Sequence, residues 1–197
     1  MKLVFDLGKV LLKTGSFRIG TFPTHDGKVS PYYIDLGHVF YDPEAFGLVE
    51  ACLEKTVSEL LDVEGFAGFC GVPQTGLLLC TPLALKFRKQ LIYKTRGPET
   101  RIVGVVRPGS NILIVDGVSE TGKSIGQAVK AIRESGGIVK YAVTLIDRLE
   151  IAKQELSRLE VDLRSFTTIR EMSSILNDRM ALSEEQEKLI DAKPEKI

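Results

Sequence analysis

Hydrophobic positions recur along the chain at two alternating periods. Phe46, Val49, Leu53, Val57 and Leu60 return every three or four residues between 44 and 61, behind a Pro43 suited to a first helical turn, and predict an amphipathic helix. The apolar run 65–70, GFAGFC, predicts a buried strand, GVPQTG at 71–76 a turn, and LLLCTPLALKF at 77–87 a helix with Pro82 near its start. QLIYK at 90–94 and RIVGVV at 101–106 read as short strands on either side of the polar turn TRGPET. Residues 111–115 form a further predicted strand that ends in an acid, Asp116, and the run after Ser124 is predicted helical, with Ile125, Ala128, Val129 and Ile132 on one face. Then GIVKYAVTLI (137–146), EIAKQELSRLE (150–160), LRSFTTI (163–169) and REMSSIL (170–176) continue as strand, helix, strand and helix.

Strands alternating with helices imply an α/β fold, a doubly wound, mostly parallel sheet with helices on both faces. Ligands in such sheets bind beyond the carboxyl ends of the strands, so the glycine-containing turns 71–76 and 117–124 are expected on one rim. The last residues, SEEQEKLIDAKPEKI, read as a solvated, charged tail.

Composition narrows the function. The 197 residues, 44% of them hydrophobic, suffice for one sizeable core. Lys plus Arg and Asp plus Glu are 26 each, so no overall field draws the chain to nucleic acid or an anionic membrane, and neither is expected as a partner. Any anion site must be local. Cys52, Cys70 and Cys80 stand singly in apolar surroundings, which predicts buried thiols in a reducing compartment. No apolar run is long enough to span a bilayer, and Asp6 interrupts the N-terminal run where a secretory core is uniformly apolar, so a cytoplasmic location is expected.

Residues Gly117 to Ser124, GVSETGKS, fit the nucleotide P-loop pattern G-x-x-x-x-G-K-[ST]. A strand, a glycine-containing turn and a helix bring free backbone N–H groups and the positive helix end to one point, which makes a phosphate cradle. Under a P-loop reading, Asp147 would be the second carboxylate for a Mg²⁺ held by Ser124. Against that reading, fewer than half the residues follow the turn to build the rest of such a domain.

Three segments read together carry a broader match. FRIGTFPTHDGKVSPYYIDLG (17–37), GFCGVPQTG (68–76) and ILIVDGVSETGKS (112–124) resemble, in order and spacing, the type I phosphoribosyltransferases, and the first segment resembles their orotate branch. The likeness continues through LIDRLE (145–150) and LRSFTTIREMSSIL (163–176). It implies transfer of a phosphoribosyl group from phosphoribosyl pyrophosphate to a nucleobase, with Mg²⁺ and release of pyrophosphate. By the same resemblance, residues 1–40 form a base-side hood, 41–182 the core and 183–197 the tail, and the chain is a homodimer. The apolar run LVFDLGKVLL is a candidate for the dimer contact.

Cleaving the bond to pyrophosphate develops positive charge on ribose and negative charge on the leaving group, so the site needs fixed anion donors and a metal clamp. The resemblance gives Thr121, Gly122, Lys123 and Ser124, with Gly117, Val118, Ser119 and Glu120, to the 5′-phosphate and ribose. Asp116 would contact the ribose hydroxyls, and Mg²⁺ would be held through the substrate, with Asp116 as the one protein group nearby. Val72, Pro73, Gln74, Thr75 and Gly76 would form the pyrophosphate turn, where Gly71 and Gly76 admit close backbone approach. Lys94, Arg96 and Arg101 are the cations of the segment 93–101; the first two join Asp116 and Glu120 as catalytic candidates, and Lys94 also faces pyrophosphate. Tyr33, Ile34, Glu120 and Arg148 would meet the base, Arg148 by pairing with the carboxylate of orotate, and Tyr32 beside Tyr33 flanks it.

The departures are local. Gly117 stands where the family carries a second acid, Glu120 where the orotate branch has threonine, Thr75 and His25 where it has lysines, and 93–101 is short and lacks a His. The run ETGKS resembles the purine enzymes, and Glu120 is expected either to pair with Arg148 or to accept a proton from a purine nitrogen. An orotate-type transferase is the leading reading; a non-catalytic binder of phosphoribosyl pyrophosphate or a nucleotide, a purine enzyme and a P-loop NTPase are the alternatives.

Overall fold

A computed structural model describes the chain except residues 24–27, 96–100, 180, 192–194 and 197 and the side chains of 28, 195 and 196. In chain order the elements are α1 (Lys2–Lys13), β1 (Phe17–Pro23), β2 (Lys28–Ile34), a 3-10 turn (Leu36–Tyr41), α2 (Pro43–Leu61), β3 (Gly68–Gly71), α3 (Thr75–Lys86), β4 (Gln90–Lys94) and β5 (Ile102–Val103). Then follow β6 (Ile112–Ser119), α4 (Lys123–Glu134), β7 (Tyr141–Asp147), α5 (Ala152–Arg158), β8 (Asp162–Thr168), α6 (Ile169–Asp178), α7 (Glu184–Asp191) and β9 (Glu195–Lys196). They form two compact units, Met1–Val49 with Thr167–Ile197, and Glu50–Phe166.

The second unit holds a six-stranded sheet in the order β5-β4-β3-β6-β7-β8. β4, β3, β6 and β7 are mutually parallel, and β5 joins β4 antiparallel. Its parallel strands are apolar along their middles because helices cover both faces. Ile112 and Ile114 of β6, with Cys70, Ile92 and Ala142, point into a cluster closed by Ile125, Ala128, Val129 and Ile132 of α4 and by Ala152 and Leu156 of α5. These are the α4 positions that the spacing picks out. Leu113 and Val115 are equally buried and, one residue out of phase, face the other side of the sheet; α3 packs on β3 and β6. Each such side chain fully removed from water contributes roughly 1.5–3 kcal/mol.

In the first unit, β1 and β2 form an antiparallel pair and β9 adds to β2. α1 packs on α6, burying Val4, Leu7 and Leu11. A Cβ on Gly8 would come within 2.9 Å of the Leu176 methyls, so the two helices touch there at glycine distance.

Several boundaries differ from the sequence reading. The strand expected from residue 65 begins at Gly68, and only Ile102–Val103 of RIVGVV is a strand. The strand expected over 137–146 begins at Tyr141. Thr75 and Gly76 already belong to α3. β6 does not stop at Val115 but runs to Ser119, because Val118 and Ser119 still pair with Ile146 and Asp147. The N-terminal apolar run is a helix whose apolar face is used within its own unit. The charged tail is in part α7, which contacts α6, buries Ile190 and carries Glu184, Glu185 and Glu187 where the helix dipole favours acids.

Candidate active site

The strand order reverses direction between β3 and β6. Right-handed crossovers then put α3 and α4 on opposite faces and leave a crevice at the carboxyl ends of these two strands. The turn after β3 and the loop after β6 both open there.

The first of these is fixed by contact. The Val72 N–H donates to the Val115 carbonyl at 2.9 Å, carrying the pairing of the strands into the turn. A Cβ at Gly71 would lie 2.6 Å from the Leu77 Cα, and one at Gly76 would lie 2.7 Å from the Val115 carbonyl oxygen and 3.0 Å from Asp116 Oδ1. Glycine is therefore required at both positions by close approach. Between them Gln74 has φ 73° and ψ −112°, a backbone state that side chains other than glycine rarely adopt. Thr75 and Gly76 open α3, so the turn proper is Val72, Pro73 and Gln74.

The second opening is shorter than its motif suggests. Asp116, Gly117, Val118 and Ser119 are strand residues, and only Glu120, Thr121 and Gly122 lie between β6 and α4. A P-loop begins its wrap at the first glycine of the pattern, here Gly117, which is held in β6. Asp147, the proposed partner of a metal beside Ser124, is also committed: its carboxylate accepts from Ser119 Oγ at 3.1 Å and from the Leu149 N–H at 3.0 Å, tying the ends of β6 and β7 together. Gly122 takes φ 73°, with the space for its Cβ closed at 3.2 Å by the backbone of Ala152. A cavity of about 190 Å³ lies at this point, lined by residues 116 and 118–125. Thr121, Lys123 and Ser124 are exposed beside it, and the first N–H groups of α4 have no partner within the helix. Hydroxyls, a lysine and a helix N-terminus around one small polar hollow suit a phosphate.

Asp116 lies where the two openings meet. Burial pushes its carboxyl up to about 7, against the pull of the Gly117 N–H that donates to Oδ1 at 2.7 Å. An acid so placed exchanges its proton near neutrality.

On the β7 side, Arg148 is clamped between two acids. Its Nη1 donates to Glu120 Oε2 at 2.9 Å and its Nη2 lies 3.0 Å from Glu150 Oε1. The pairing of Glu120 with Arg148 is one of the two arrangements expected from their charges. Glu150 was not anticipated; it reaches Arg148 because Leu149 adopts φ 58° and turns the chain back after β7. The backbone here is held as well, with the Arg148 N–H on the Ser119 carbonyl at 3.0 Å and the Ala152 N–H on the Glu120 carbonyl at 3.1 Å.

The remaining candidates lie on other elements. Lys94, 8% exposed, donates to Gln127 Oε1 of α4 at 3.0 Å, a partner that the sequence reading missed because the two lie 33 residues apart. Thr95 and Arg101 bond to each other through their backbones at 2.8 Å; Arg96, like His25, lies outside the described residues. Tyr33 and Ile34 belong to β2 of the first unit, where the Arg18 guanidinium stands 5.0 Å from the centre of the Tyr33 ring and Tyr32 is buried. All three cysteines are buried; burial drives Cys70 up to about 12 and Cys80 well above its usual value, which keeps both thiols protonated. Among the described residues no group of three or more His, Cys, Asp or Glu could hold a metal ion, and no helix is long and apolar enough to cross a membrane.

No protein-family model matches the chain. Among curated proteins, it is 33% identical over 170 residues to the orotate phosphoribosyltransferase of Methanocaldococcus jannaschii, covering 84% of this chain and 94% of that protein. It is 32% identical over 190 residues to the orotate phosphoribosyltransferase of Sulfolobus acidocaldarius, covering 94% of each. Among solved structures, the orotate phosphoribosyltransferase of Aeropyrum pernix superposes with a TM-score of 0.78 at 30% identity, over 87% of this chain and 98% of the other. The UMP synthase of Leishmania donovani gives a TM-score of 0.84 at 26% identity, over 94% of this chain and 41% of that longer one. Similar over nearly its whole length in sequence and built on the same sheet, this chain belongs to the orotate phosphoribosyltransferase family.

Proposed function

We propose that the protein transfers the 5-phosphoribosyl group of phosphoribosyl pyrophosphate to orotate and releases pyrophosphate, a step of pyrimidine nucleotide synthesis. The observation that carries this reading is the contact of Gly76 with Asp116: the turn suited to pyrophosphate and the strand that leads to the phosphate hollow share one wall, with a carboxyl between them. A substrate bearing a phosphate at one end of a ribose and a pyrophosphate at the other needs two anion sites that close together. Asp116, once ionised, faces the positive charge that develops on the ribose as the pyrophosphate bond breaks.

Mg²⁺ is the expected cofactor. Such an ion takes one or two carboxylates and otherwise keeps to substrate oxygens and water. Asp116 fits the first role, and the ion when bound would neutralise charge on the leaving pyrophosphate. A homodimer in the cytoplasm is part of the same reading. Since α1 turns Val4, Leu7 and Leu11 inward, α3 offers the better surface for a dimer contact, with Leu78 and Leu85 exposed on one face.

Pyrophosphate release measured with phosphoribosyl pyrophosphate, Mg²⁺ and, in turn, orotate, uracil, hypoxanthine and guanine tests the assignment. Release with orotate is expected. Ligand binding without release from any base would instead support a binding-only member, the reading favoured by Gly117 in place of a second acid.

A further inference from the structure

Orotate differs from uracil by one group, a carboxylate on the ring, and a guanidinium is the side chain that matches it, presenting two parallel N–H donors to two oxygens. Arg148 is the guanidinium beside the phosphate hollow, only 9% exposed, and both of its outer nitrogens already face protein carboxylates. The two acids are not equivalent. Glu120 is 43% exposed and sits in the three-residue loop that lines the hollow; Glu150 is 27% exposed and lies beyond the turn at Leu149. The backbone of Glu120 is held by the Ala152 N–H, and turning its half-exposed side chain into water takes that carboxylate off Nη1 while Glu150 stays on Nη2.

We propose that Glu120 is a resident counter-ion that stands in for the substrate carboxylate on Arg148, so that an incoming base with a ring carboxylate must displace it while Glu150 keeps the guanidinium in position. The inference rests on the phosphoribosyl-transfer reading above and adds the residue that sets discrimination between bases with and without that carboxylate. Two carboxylates cannot share Nη1 without repulsion, so Glu120 lowers affinity for orotate-type ligands and leaves uracil-type ligands untouched. Such a residue works by subtraction: it narrows the advantage that Arg148 alone would give to an anionic base.

The test compares binding of orotidine 5′-monophosphate and uridine 5′-monophosphate by titration calorimetry, since the two differ only in the carboxylate and share the 5′-phosphate. Glu120→Gln is expected to raise the affinity ratio of the first over the second about tenfold, by strengthening orotidine monophosphate alone, because a charged acceptor is replaced by a neutral one. Glu150→Gln is expected to lower the ratio, because Arg148 then loses the anchor on Nη2. Thermal melts confirm that each variant is folded. A ratio unchanged or reduced in Glu120→Gln, with both nucleotides still bound, overturns the inference and leaves the functional reading intact. Failure of the folded wild-type protein to bind either nucleotide overturns both.

Discussion

The turn after β3 and the loop after β6 open on the same crevice, and different forces hold them. The turn is shaped by hard contact: Gly71 and Gly76 leave no room for a methyl group, and Gln74 is forced to a positive φ between them. Beyond Ser119 the loop has one such contact, Gly122 against the Ala152 backbone, but its side chains are held by charge and hydrogen bonds: Glu120 on Arg148, and the neighbouring Asp147 on Ser119 and the Leu149 N–H. Sterics cannot be exchanged for a ligand, but an ion pair can. The turn is therefore the rigid half of the crevice, and the loop is the half whose contacts a substrate can replace.

The sharpest way to break that contrast is Gly76→Ala. The new methyl would meet the backbone of Val115 and Asp116, which cannot give without moving β6, so a loss of about 2–3 kcal/mol is expected in the denaturant midpoint. A loss below about 0.5 kcal/mol, the range of ordinary surface changes, would show that the turn yields after all.

Asp116 lies between the halves and gives the next effect. Its carboxyl stands at 3.8 when unperturbed and at about 7 in the folded protein, so between those pH values the folded state holds a proton that the unfolded chain has released. Stability therefore falls as pH rises through that window, and Asp116→Asn removes the fall. Melting curves from pH 4 to pH 8 should show the variant gaining on the wild type by about 1–2 kcal/mol, with partial access of water to the carboxyl limiting the size. Parallel curves would mean that the carboxyl is solvated and titrates normally.

A smaller gain is expected from Gln74→Gly. Relief of a strained backbone is worth about 1–3 kcal/mol, and the extra freedom of glycine in the unfolded chain takes back about 0.5–1, so a net stabilisation near 1 kcal/mol should appear as a raised melting temperature. The smallest effect belongs to the charged half. Glu150→Gln should cost at most about 1 kcal/mol, since Glu120 still pairs with Arg148, and the cost should shrink at high salt while that of Gly76→Ala does not.

Much of this was legible in the sequence because it rests on pattern and on glycine. The α4 face of Ile125, Ala128, Val129 and Ile132 follows from period 3.6, and the two turns fall on one rim because alternating elements make a parallel sheet. The pairing of Glu120 with Arg148 followed from opposite charges expected in one pocket. What stayed hidden depended on partners distant in sequence. β6 runs through Gly117 because β7 continues alongside it, and a glycine inside a strand reads locally as a turn. Gln127 meets Lys94 across 33 residues, and Glu150 is brought onto Arg148 by one backbone angle at Leu149 that no periodicity records. The helical spacing of Val4, Leu7, Gly8 and Leu11 was present in the N-terminal run, but its neighbour α6 lies at the far end of the chain.

The unequal lengths of β3 and β6 have a metrical consequence. β3 ends where Gly71 pairs with Val115, whereas β6 continues to Ser119, four residues further. At about 3.3 Å per residue, that overhang is a ledge roughly 13 Å high, with the turn at its foot and the loop at its brow. The sheet thus works as a ruler: the distance from the turn to the loop is written in strand length, and a two-residue insertion in β6 that preserved the facing of its side chains would lengthen that measure.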